Sequence, residues 1–551
     1  MKEFSPVFEQ LNLTDDERKL IAPFFTNLDQ SVFSVTFLPP EVIGALCSRT
    51  SRAKDDLRVI FLKEFVQPFL GEDSDYAKSL GAFIEFLHKN PLEVIFSNPK
   101  ARQFYITWLA EYGDDSIAQM AGSHLLFSGI SQIAIKHLEE QRIGIAPLEK
   151  STRYVDYSSK VAGSYRYYAD PTLEKYGLLQ EYRQVMDHLF DTYTDLLVKY
   201  LEHLRVKFPG EEERVLKTKA FDTVRTILPN STLSTLALFS NGQSFEYMVN
   251  RCLDHNLGEI RWTGQRALEE LSKITPGFFR RTGEEGAKRY REYLSGRFNR
   301  VEAVLKEIGW KGEPKAANEP IVKLLDFDPD GENKVIAGIL YQHGHDSFDV
   351  VLGKVKQMSA ADKEKIIAAA IKDRTQKYYK VPRGFENTYL RFEILMNIGA
   401  WRDLHRHRMH TQQRQLFTIH NGFDIPEGLK EAGLDGMYSE AIQRAESLFL
   451  KIEGHDKELA QYCTVMGHRV RFQQYQNMRA FFWEAELRTI AQGHPDYRHV
   501  EHEKIKLVQR IYPLLSKYLL VDMGEYDFAR RGDSEAIARK TQELKDYFGS
   551  K

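Results

Sequence analysis

Apolar residues recur at helical spacing along much of the 551-residue chain. In the stretch LEKYGLLQEYRQVMDHLFDTYTDLLVKYLEHLRVKF, one helix face collects Leu178, Tyr182, Val185, Leu189 and Tyr193. MYSEAIQRAESLFLKI and SEAIARKTQELKDYF show the same period. Runs typical of strands are fewer, and the best are GSHLLFSGISQIAI and TYLRFEILMNI. The pattern predicts helices around a small antiparallel sheet in each half of the chain, a mixed α/β (α+β) fold.

The same series of features occurs twice. YITWLAEYGDDSIAQ, from Tyr105, resembles AGILYQHGHDSFDVV, from Ala337. A strand-like run, a polar segment, a proline-marked turn and a long helix follow each. Next come DTVRTILPNSTLSTLALFSN and HRVRFQQYQNMRAFFWEAE, which we expect to be helical. This order indicates a diverged tandem duplication, with domains at 1–308 and 321–551 and a Gly- and Pro-rich linker at 309–320.

Composition narrows the functional classes. A formal charge of -2 argues against a general polyanion binder, so any positive site must be local. The three cysteines form no CxxC pair, which fits a reducing compartment. The N-terminal stretch has no apolar run of signal-peptide length, and no segment approaches the ~20 apolar residues of a membrane span. We therefore expect a cytoplasmic protein.

The segment LHRHRMHTQQRQLFTIH, residues 404–420, concentrates four histidines and three arginines. His407 and His410 are spaced as metal ligands on a helix would be, but no acidic or cysteine partner accompanies them, and we expect no metal. An extended basic face for nucleic acid is also missing, so we expect no nucleic-acid partner. An anionic small molecule remains, because the arginine fork matches phosphate oxygens two at a time.

KSTRY, residues 150–154, is a second candidate for binding an anion. In an extended segment Ser151 and Arg153 would point the same way and Thr152 the opposite way. Tyr154 could stack on a base or pack into the core. Further along the chain, Arg225 is another candidate, as is Arg251, although each of these arginines alone is more often a surface ion pair.

These residues resemble a known family. Flavin-dependent thymidylate synthases have the signature R-H-R-x-x-S-x-x-x-x-S-x-R, usually followed by Tyr. The second half resembles its beginning and the first half its end. The matching residues are Arg406, His407, Arg408 and Thr411 in the second half, and Glu149, Ser151, Arg153 and Tyr154 in the first. The departures are Leu416 and Thr418 in the second half, and Gln141, Arg142, Ile143 and Ala146 in the first.

Other segments extend the resemblance. GHDS, with His345 and Ser347, is similar to the family's flavin-approaching G-H-E-T, and GDDS, ending at Ser116, is a weaker copy. RTILPNSTLSTLALFSN, with Arg225 and Asn241, resembles the R-x-x-L-P segment and its following Asn. Arg251 and His255 resemble a pair that lies near nucleotide and flavin.

The resemblance implies an enzyme that converts dUMP to dTMP with FAD, NAD(P)H and methylenetetrahydrofolate, without a cysteine nucleophile. Nucleotide contacts would come from Glu149, Ser151, Arg153, Tyr154, Arg225 and Arg251, of which Arg225 and Arg251 would also polarise the pyrimidine. Cofactor contacts would come from Arg406, His407, Arg408, His345, Ser347, Ser116, Asn241 and His255. Positive charge beside the flavin would favour its anionic reduced form.

The split signature implies composite sites to which both halves contribute. Family members usually form homotetramers with sites where subunits meet, so a homodimer of this tandem chain would rebuild a four-domain assembly. The alternative is a flavin- or nucleotide-binding homologue that has lost thymidylate synthesis or acts on another pyrimidine.

Overall fold

Two four-stranded antiparallel sheets organise the chain. The structure, a computed structural model, describes residues 10–90, 95, 98–101, 103, 104, 107, 116–161, 163–312, 319–528 and 533–549. The strands are Val32–Val35 (β1), Gly122–Ser131 (β2), Ile145–Glu149 (β3), Leu233–Asn241 (β4), Val322–Phe327 (β5), Tyr389–Asn397 (β6), Thr411–Arg414 (β7) and Arg469–Asn477 (β8). Their orders are β1-β2-β4-β3 and β5-β6-β8-β7. The identical order in both halves supports the tandem duplication.

Helices make up most of the remaining structure, as expected. In the first half of the sequence the described α-helices are Asp15–Ile21, Pro40–Thr50, Leu57–Ile60, Asp75–Lys89, Ser116–Gln119, Gln132–Glu139, Thr172–Lys175, Leu179–Lys207, Glu213–Val224, Gly242–Leu253, Gly258–Ile274 and Glu285–Glu307. In the second they are Gly331–Leu340, Phe348–Gln357, Ala360–Ala370, Ile398–Leu404, Glu427–Glu431, Asp435–Glu453, Lys457–Ala460, Met478–Arg488, Pro495–Ile511, Pro513–Ser516 and Asp533–Gly549. The predicted helix-rich fold with two small antiparallel sheets is confirmed.

The prediction of helix for the two arginine-containing stretches was partly wrong. The helix Glu213–Val224 ends one residue before Arg225, and residues 233–241 and 469–477 form β4 and β8. In β4 the side chains of Ser234, Leu236, Leu238 and Ser240 are buried, whereas their neighbours are partly or fully exposed. This two-residue period is that of a strand with one covered face, and the surrounding helical periodicity obscured it.

A helix follows each of the four central strands, β2, β4, β6 and β8. A polar residue at the end of the strand caps the start of that helix. The side chains of Ser131, Asn241, Asn397 and Asn477 accept hydrogen bonds from the backbone N–H three residues on, at 2.8–3.1 Å. Such caps satisfy amide groups that have no partner within the helix. TYLRFEILMNI is confirmed as a strand, β6, but GSHLLFSGISQIAI is a strand only as far as Ser131 because that residue caps a helix.

The described contacts divide the chain into two compact units that do not coincide with the halves of the sequence. The first unit contains the described residues of Met1–Tyr200, Phe221–Pro314 and Glu427–Val465. The second contains those of Leu201–Ala220, Lys315–Pro426 and Met466–Lys551. The predicted boundaries 1–308 and 321–551 concern the sequence repeat and remain a prediction. Half of the predicted linker, residues 313–318, lies outside the described residues.

Each sheet packs against a long helix. In the first unit Gly258–Ile274 lies against β1 and β2, and in the second Pro495–Ile511 lies against β5 and β6. Val500, Ile505 and Val508 are buried on the latter helix. In the first unit, the rings of Phe24, Phe25, Phe33 and Phe61 extend the core, with centroids 5.2–5.6 Å apart. Within the described residues, no helix has both the length and the apolar character needed to span a bilayer.

Candidate active site

The strand registers align the two incomplete signatures. Ala146 of β3 pairs with Phe239, and Thr411 of β7 pairs with Tyr475. Both partners stand two residues before the capping asparagine of their strand. Ala146 and Thr411 therefore occupy equivalent places, and this agrees with the sequence alignment in which Arg153 corresponds to Thr418.

The KSTRY segment is a turn and is not extended. The backbone N–H of Tyr154 donates to the carbonyl of Ser151 at 3.3 Å, and the N–H of Arg153 donates to Ser151 Oγ at 3.3 Å. The N–H of Ser151 donates to the carbonyl of Ser51 at 2.8 Å, which holds the turn against a neighbouring loop. Because hydroxyl side chains favour such local bonds, Ser151 shapes the turn that presents Arg153.

The turn brings two predicted arginines together. Arg153 Nε and Arg225 Nη2 lie 3.0 and 3.1 Å from the same carboxylate oxygen, Oδ1 of Asp222. Arg225 Nη1 also donates to Thr152 Oγ1 at 3.1 Å, so Thr152 faces Arg225. All three charged side chains are largely buried. Two guanidinium groups converging on one oxygen can bind a phosphate or carboxylate of a ligand.

Sequence reasoning missed Asp222. Its spacing of three residues before Arg225 was the available signal, since residues at that spacing meet on a helix face. Glu149 lies beneath the turn, where its carboxylate is buried and receives Lys136 Nζ at 2.9 Å. The same ammonium group donates to Glu139 at 2.6 Å. The sequence analysis did not identify Lys136 or Glu139 either.

The other residues predicted for the first half have local partners. Arg251 lies near the end of the helix Gly242–Leu253, with its guanidinium 6.0 Å from the Tyr247 ring centre. Asn241 caps that helix. His255 accepts a hydrogen bond from the N–H of Leu257 at 3.0 Å, and its ring lies 4.6 Å from His137. Gly113 and Asp115 are outside the described residues, and Ser116 begins a short helix whose first side chain is not described.

A cavity of about 470 Å³ opens in the first unit beside Tyr247. Its lining consists of Gln141, Ile143, Gln243, Ser244, Glu246, Tyr247 and Asn250. In the second unit, the places equivalent to Tyr247 and Asn250 hold Trp483 and Glu486. Lys380 Nζ lies 3.1 Å from the Trp483 ring centre, and Arg374 pairs with Glu486 at 2.5 Å. The segment 372–381 therefore covers in the second unit what corresponds to the cavity in the first.

Side chains in the histidine-rich segment alternate between the interior and the surface. His405, His407 and His410 are buried, whereas Arg406 and Arg408 are exposed. Arg406 Nη1 lies 3.5 Å from Asp403. The buried histidines thus fix the loop and leave two guanidinium groups at its surface. His345 and Ser347 are exposed in the turn that precedes the helix Phe348–Gln357.

His407 is neutral in the folded protein. Arg488 Nε donates to His407 Nε2 at 2.8 Å, and because arginine only donates, this ring nitrogen accepts and the ring proton sits on Nδ1. Burial lowers the pKa of His407 to about 3. Arg488 also donates to the carbonyl of Asp403. In the described part of the chain, no three His, Cys, Asp or Glu side chains are grouped as ligands of a metal ion would be.

A buried ionic network lies behind this loop. Lys504 Nζ donates to Glu484 at 2.8 Å and to Glu501 at 2.9 Å. Burial alone would raise the pKa of Glu484, but the Lys504 ammonium holds it well below its usual range. Burial raises the pKa of Glu501 to about 7, and the Glu484 charge adds to this rise.

Polar side chains connect the network to the loop. Gln474 Nε2 donates to Glu484 at 2.6 Å and to Gln476 at 2.8 Å, and Gln476 Oε1 lies 3.0 Å from His410 Nδ1. Sequence reasoning missed this set. The available signal was Glu501 and Lys504, charges three residues apart among the apolar positions of an amphipathic helix.

Comparisons with known proteins match most of the chain. The profile of a family described as "Thymidylate synthase complementing protein" matches residues 78–277 and again 323–514. A UPF0159 protein of Chlamydia muridarum is 33% identical over 529 residues, covering 94% of this chain and 97% of the relative. A UPF0159 protein of Thermoplasma acidophilum is 27% identical over 528 residues, covering 88% and 96%.

Proposed function

The chain belongs to the thymidylate synthase complementing protein family, and from that premise we propose that it methylates dUMP reductively to dTMP. FAD would be its cofactor, and NAD(P)H and methylenetetrahydrofolate its co-substrates. With one proton, these substrates give dTMP, tetrahydrofolate and NAD(P)⁺. The main support is the convergence of Arg153 and Arg225 on one oxygen of Asp222, because it is the arrangement that an anionic nucleotide group requires.

The first half would bind the nucleotide. Arg153 and Arg225 would exchange Asp222 for the phosphate, with the hydroxyl of Ser151 beside them. Arg251 would face a pyrimidine carbonyl and withdraw electron density from the ring as the methyl group is transferred. Glu149, buried beneath the turn, would support this loop, and Tyr154 would pack against the base.

The second half has a donor set that fits FAD. Two exposed guanidinium groups, on Arg406 and Arg408, suit the cofactor's diphosphate. His345 and Ser347 stand before a ten-residue helix, where backbone N–H groups favour negative charge. When bound, FAD supplies the hydride that completes the methyl group. His407, neutral and fixed by Arg488, would keep the two arginines directed outward.

Complementation of a thymidine auxotroph tests the proposal. The wild-type chain should restore growth without thymidine, whereas Arg153→Ala and Arg406→Ala should each abolish it, since each half supplies a part that the other has lost. Arg444→Ala is the matched control, because this arginine forms an exposed ion pair with Glu440 and should leave growth unchanged. The purified protein should also take up FAD with a spectral shift.

A wild-type chain that binds FAD and dUMP but fails to restore growth would contradict the synthase proposal. That result would favour the alternative of a flavin- and nucleotide-binding homologue with other chemistry. If Arg406→Ala changed neither growth nor flavin retention, the second half would instead be structural.

A further inference from the structure

Among the described residues, each half has a buried ionic network centred on a lysine, and each network lies beside the part of the signature that its half has kept. The first-half network is Lys136, Glu139 and Glu149, directly before the Ser151–Arg153 turn. The second-half network is Glu484, Glu501 and Lys504, linked through Gln474 and Gln476 to the Arg406–Arg408 loop. These six charged side chains are at most 2% exposed.

The second-half network has no counterpart in the first half. Strand register and helix starts place His410, Gln474, Glu484 and Lys504 at the positions that Ile145, Leu238, Met248 and Ala267 occupy in the first unit. Those four first-half residues are at most 1% exposed. The first half therefore fills the same positions of its core with apolar side chains.

The first-half network likewise has no counterpart in the second half. The positions of Lys136, Glu139 and Glu149 correspond to Arg402, His405 and Arg414. No carboxylate stands at any of the three. Instead, the His405 ring lies 4.5 Å from Trp401, and the Arg414 guanidinium lies 4.3 Å from the Phe417 ring centre. Charge pairing has been kept or acquired separately in each half.

We propose that the two networks are positioning devices, each of which orders the ligand-binding loop of its own half. In the second half, Lys504 fixes Glu484, whose carboxylate accepts from Gln474 at 2.6 Å. Gln474 donates to Gln476, and Gln476 Oε1 lies 3.0 Å from His410 Nδ1 in the loop. Glu484 Oε2 also lies 3.8 Å from His410 Nδ1. Without the charged carboxylate, Gln474 and His410 would lose the group that orients them, and the loop would lose its anchor. In the first half, Lys136 fixes Glu149 at the end of β3, from which the turn starts. The ligands assigned to these loops rest on the proposed function, whereas the ordering does not.

The test uses two triple variants that remove charge while keeping side-chain size. They are Lys136→Met/Glu139→Gln/Glu149→Gln and Glu484→Gln/Glu501→Gln/Lys504→Met. Limited trypsin digestion followed by mass spectrometry would measure cleavage after Lys150 and Arg153 in the first loop and after Arg406 and Arg408 in the second. We expect each variant to raise cleavage about tenfold in its own loop and less than twofold in the other, which serves as the internal control.

Ligand affinities provide a second readout. The second-half variant should weaken FAD binding at least tenfold while dUMP binding stays within twofold, and the first-half variant should show the reverse. If the wild-type chain bound neither ligand, the proposed function would fail, but the cleavage pattern would still test the networks.

Unchanged cleavage in both loops of both variants would overturn the proposal, as would equal acceleration in both loops, which indicates global loosening. If the second-half variant does not fold, His410→Ile replaces it. This change introduces the residue that the first half has at that place and leaves Lys504 with both of its carboxylates. It should accelerate cleavage after Arg406 and Arg408 only, and a rate equal to that of the wild type would contradict the second-half network's role.

Discussion

The two halves of this chain share a scaffold but place buried charge differently. Both build a four-stranded sheet in the same order, and both cap the helices that follow their central strands with polar side chains. Yet Lys504 stands where the first half has Ala267, and Lys136 where the second half has Arg402. Since one half folds without what the other buries, the fold does not require either network. The difference fits the proposal that each network orders the loop beside it.

The largest expected effect on stability comes from removing only the cation of the second-half network. Lys504→Met leaves Glu484 and Glu501 buried without a cation, which should destabilise the protein by about 3–5 kcal/mol. The urea midpoint measures this change. Lys506→Met, two residues along the same helix, removes an exposed partner of Glu503 and should change stability by less than about 1 kcal/mol.

Equal midpoints for the two variants would show that the second half tolerates an uncharged residue at this position as readily as the first. The buried charges of the second half would then be dispensable for its stability.

The free energy of unfolding should depend on pH through one buried carboxyl group in each half. Burial raises the pKa of Glu259 to about 7, and that of Glu501 to about 7 beside Glu484. Each folded-state pKa exceeds the unfolded value near 4.5, so the folded state keeps a proton that the unfolded state releases. Stability should therefore fall as pH rises from about 4.5 to about 7, by about 3 kcal/mol per group.

Glu259→Gln should remove the first-half contribution to this slope, as measured by urea midpoints at pH 5, 6 and 7. Glu501→Gln should remove the second-half contribution. A slope that stays at the wild-type value in Glu259→Gln would mean that this carboxyl, which accepts from Ser131 and Tyr462, is ionised throughout the range.

The smallest expected effect on stability comes from the helix caps, which both halves have. Asn241→Ala and Asn477→Ala each remove a helix cap and should each cost about 1 kcal/mol by thermal or urea unfolding. Asn241→Ser and Asn477→Ser should restore most of it, because serine also caps well. A loss of FAD affinity in Asn241→Ala that serine does not restore would indicate that Asn241 binds the cofactor in addition to capping.

Much of the fold could be predicted from local pattern. The helical period of the stretch from Leu178 gave the helix Leu179–Lys207, and TYLRFEILMNI gave β6. The sequence analysis missed β4 and β8 because each strand has only nine residues and stands between helices. Its alternation of buried and exposed residues is short, and the helical periodicity on either side obscures it. Hydrogen bonding to β2 and β6 decides that these two segments are strands. In the first half the paired strands are about a hundred residues apart in sequence.

The sequence by itself determined that the chain repeats, that its arginines fall in two incomplete signatures and that those signatures are complementary. These are properties of residue order, which a single sequence displays fully. Only the tertiary structure decided that Arg153 and Arg225 meet at Asp222, that three histidines turn inward, and that ionic networks lie behind both loops. Such contacts join residues distant in sequence, and their energies depend on burial, which the local pattern does not contain.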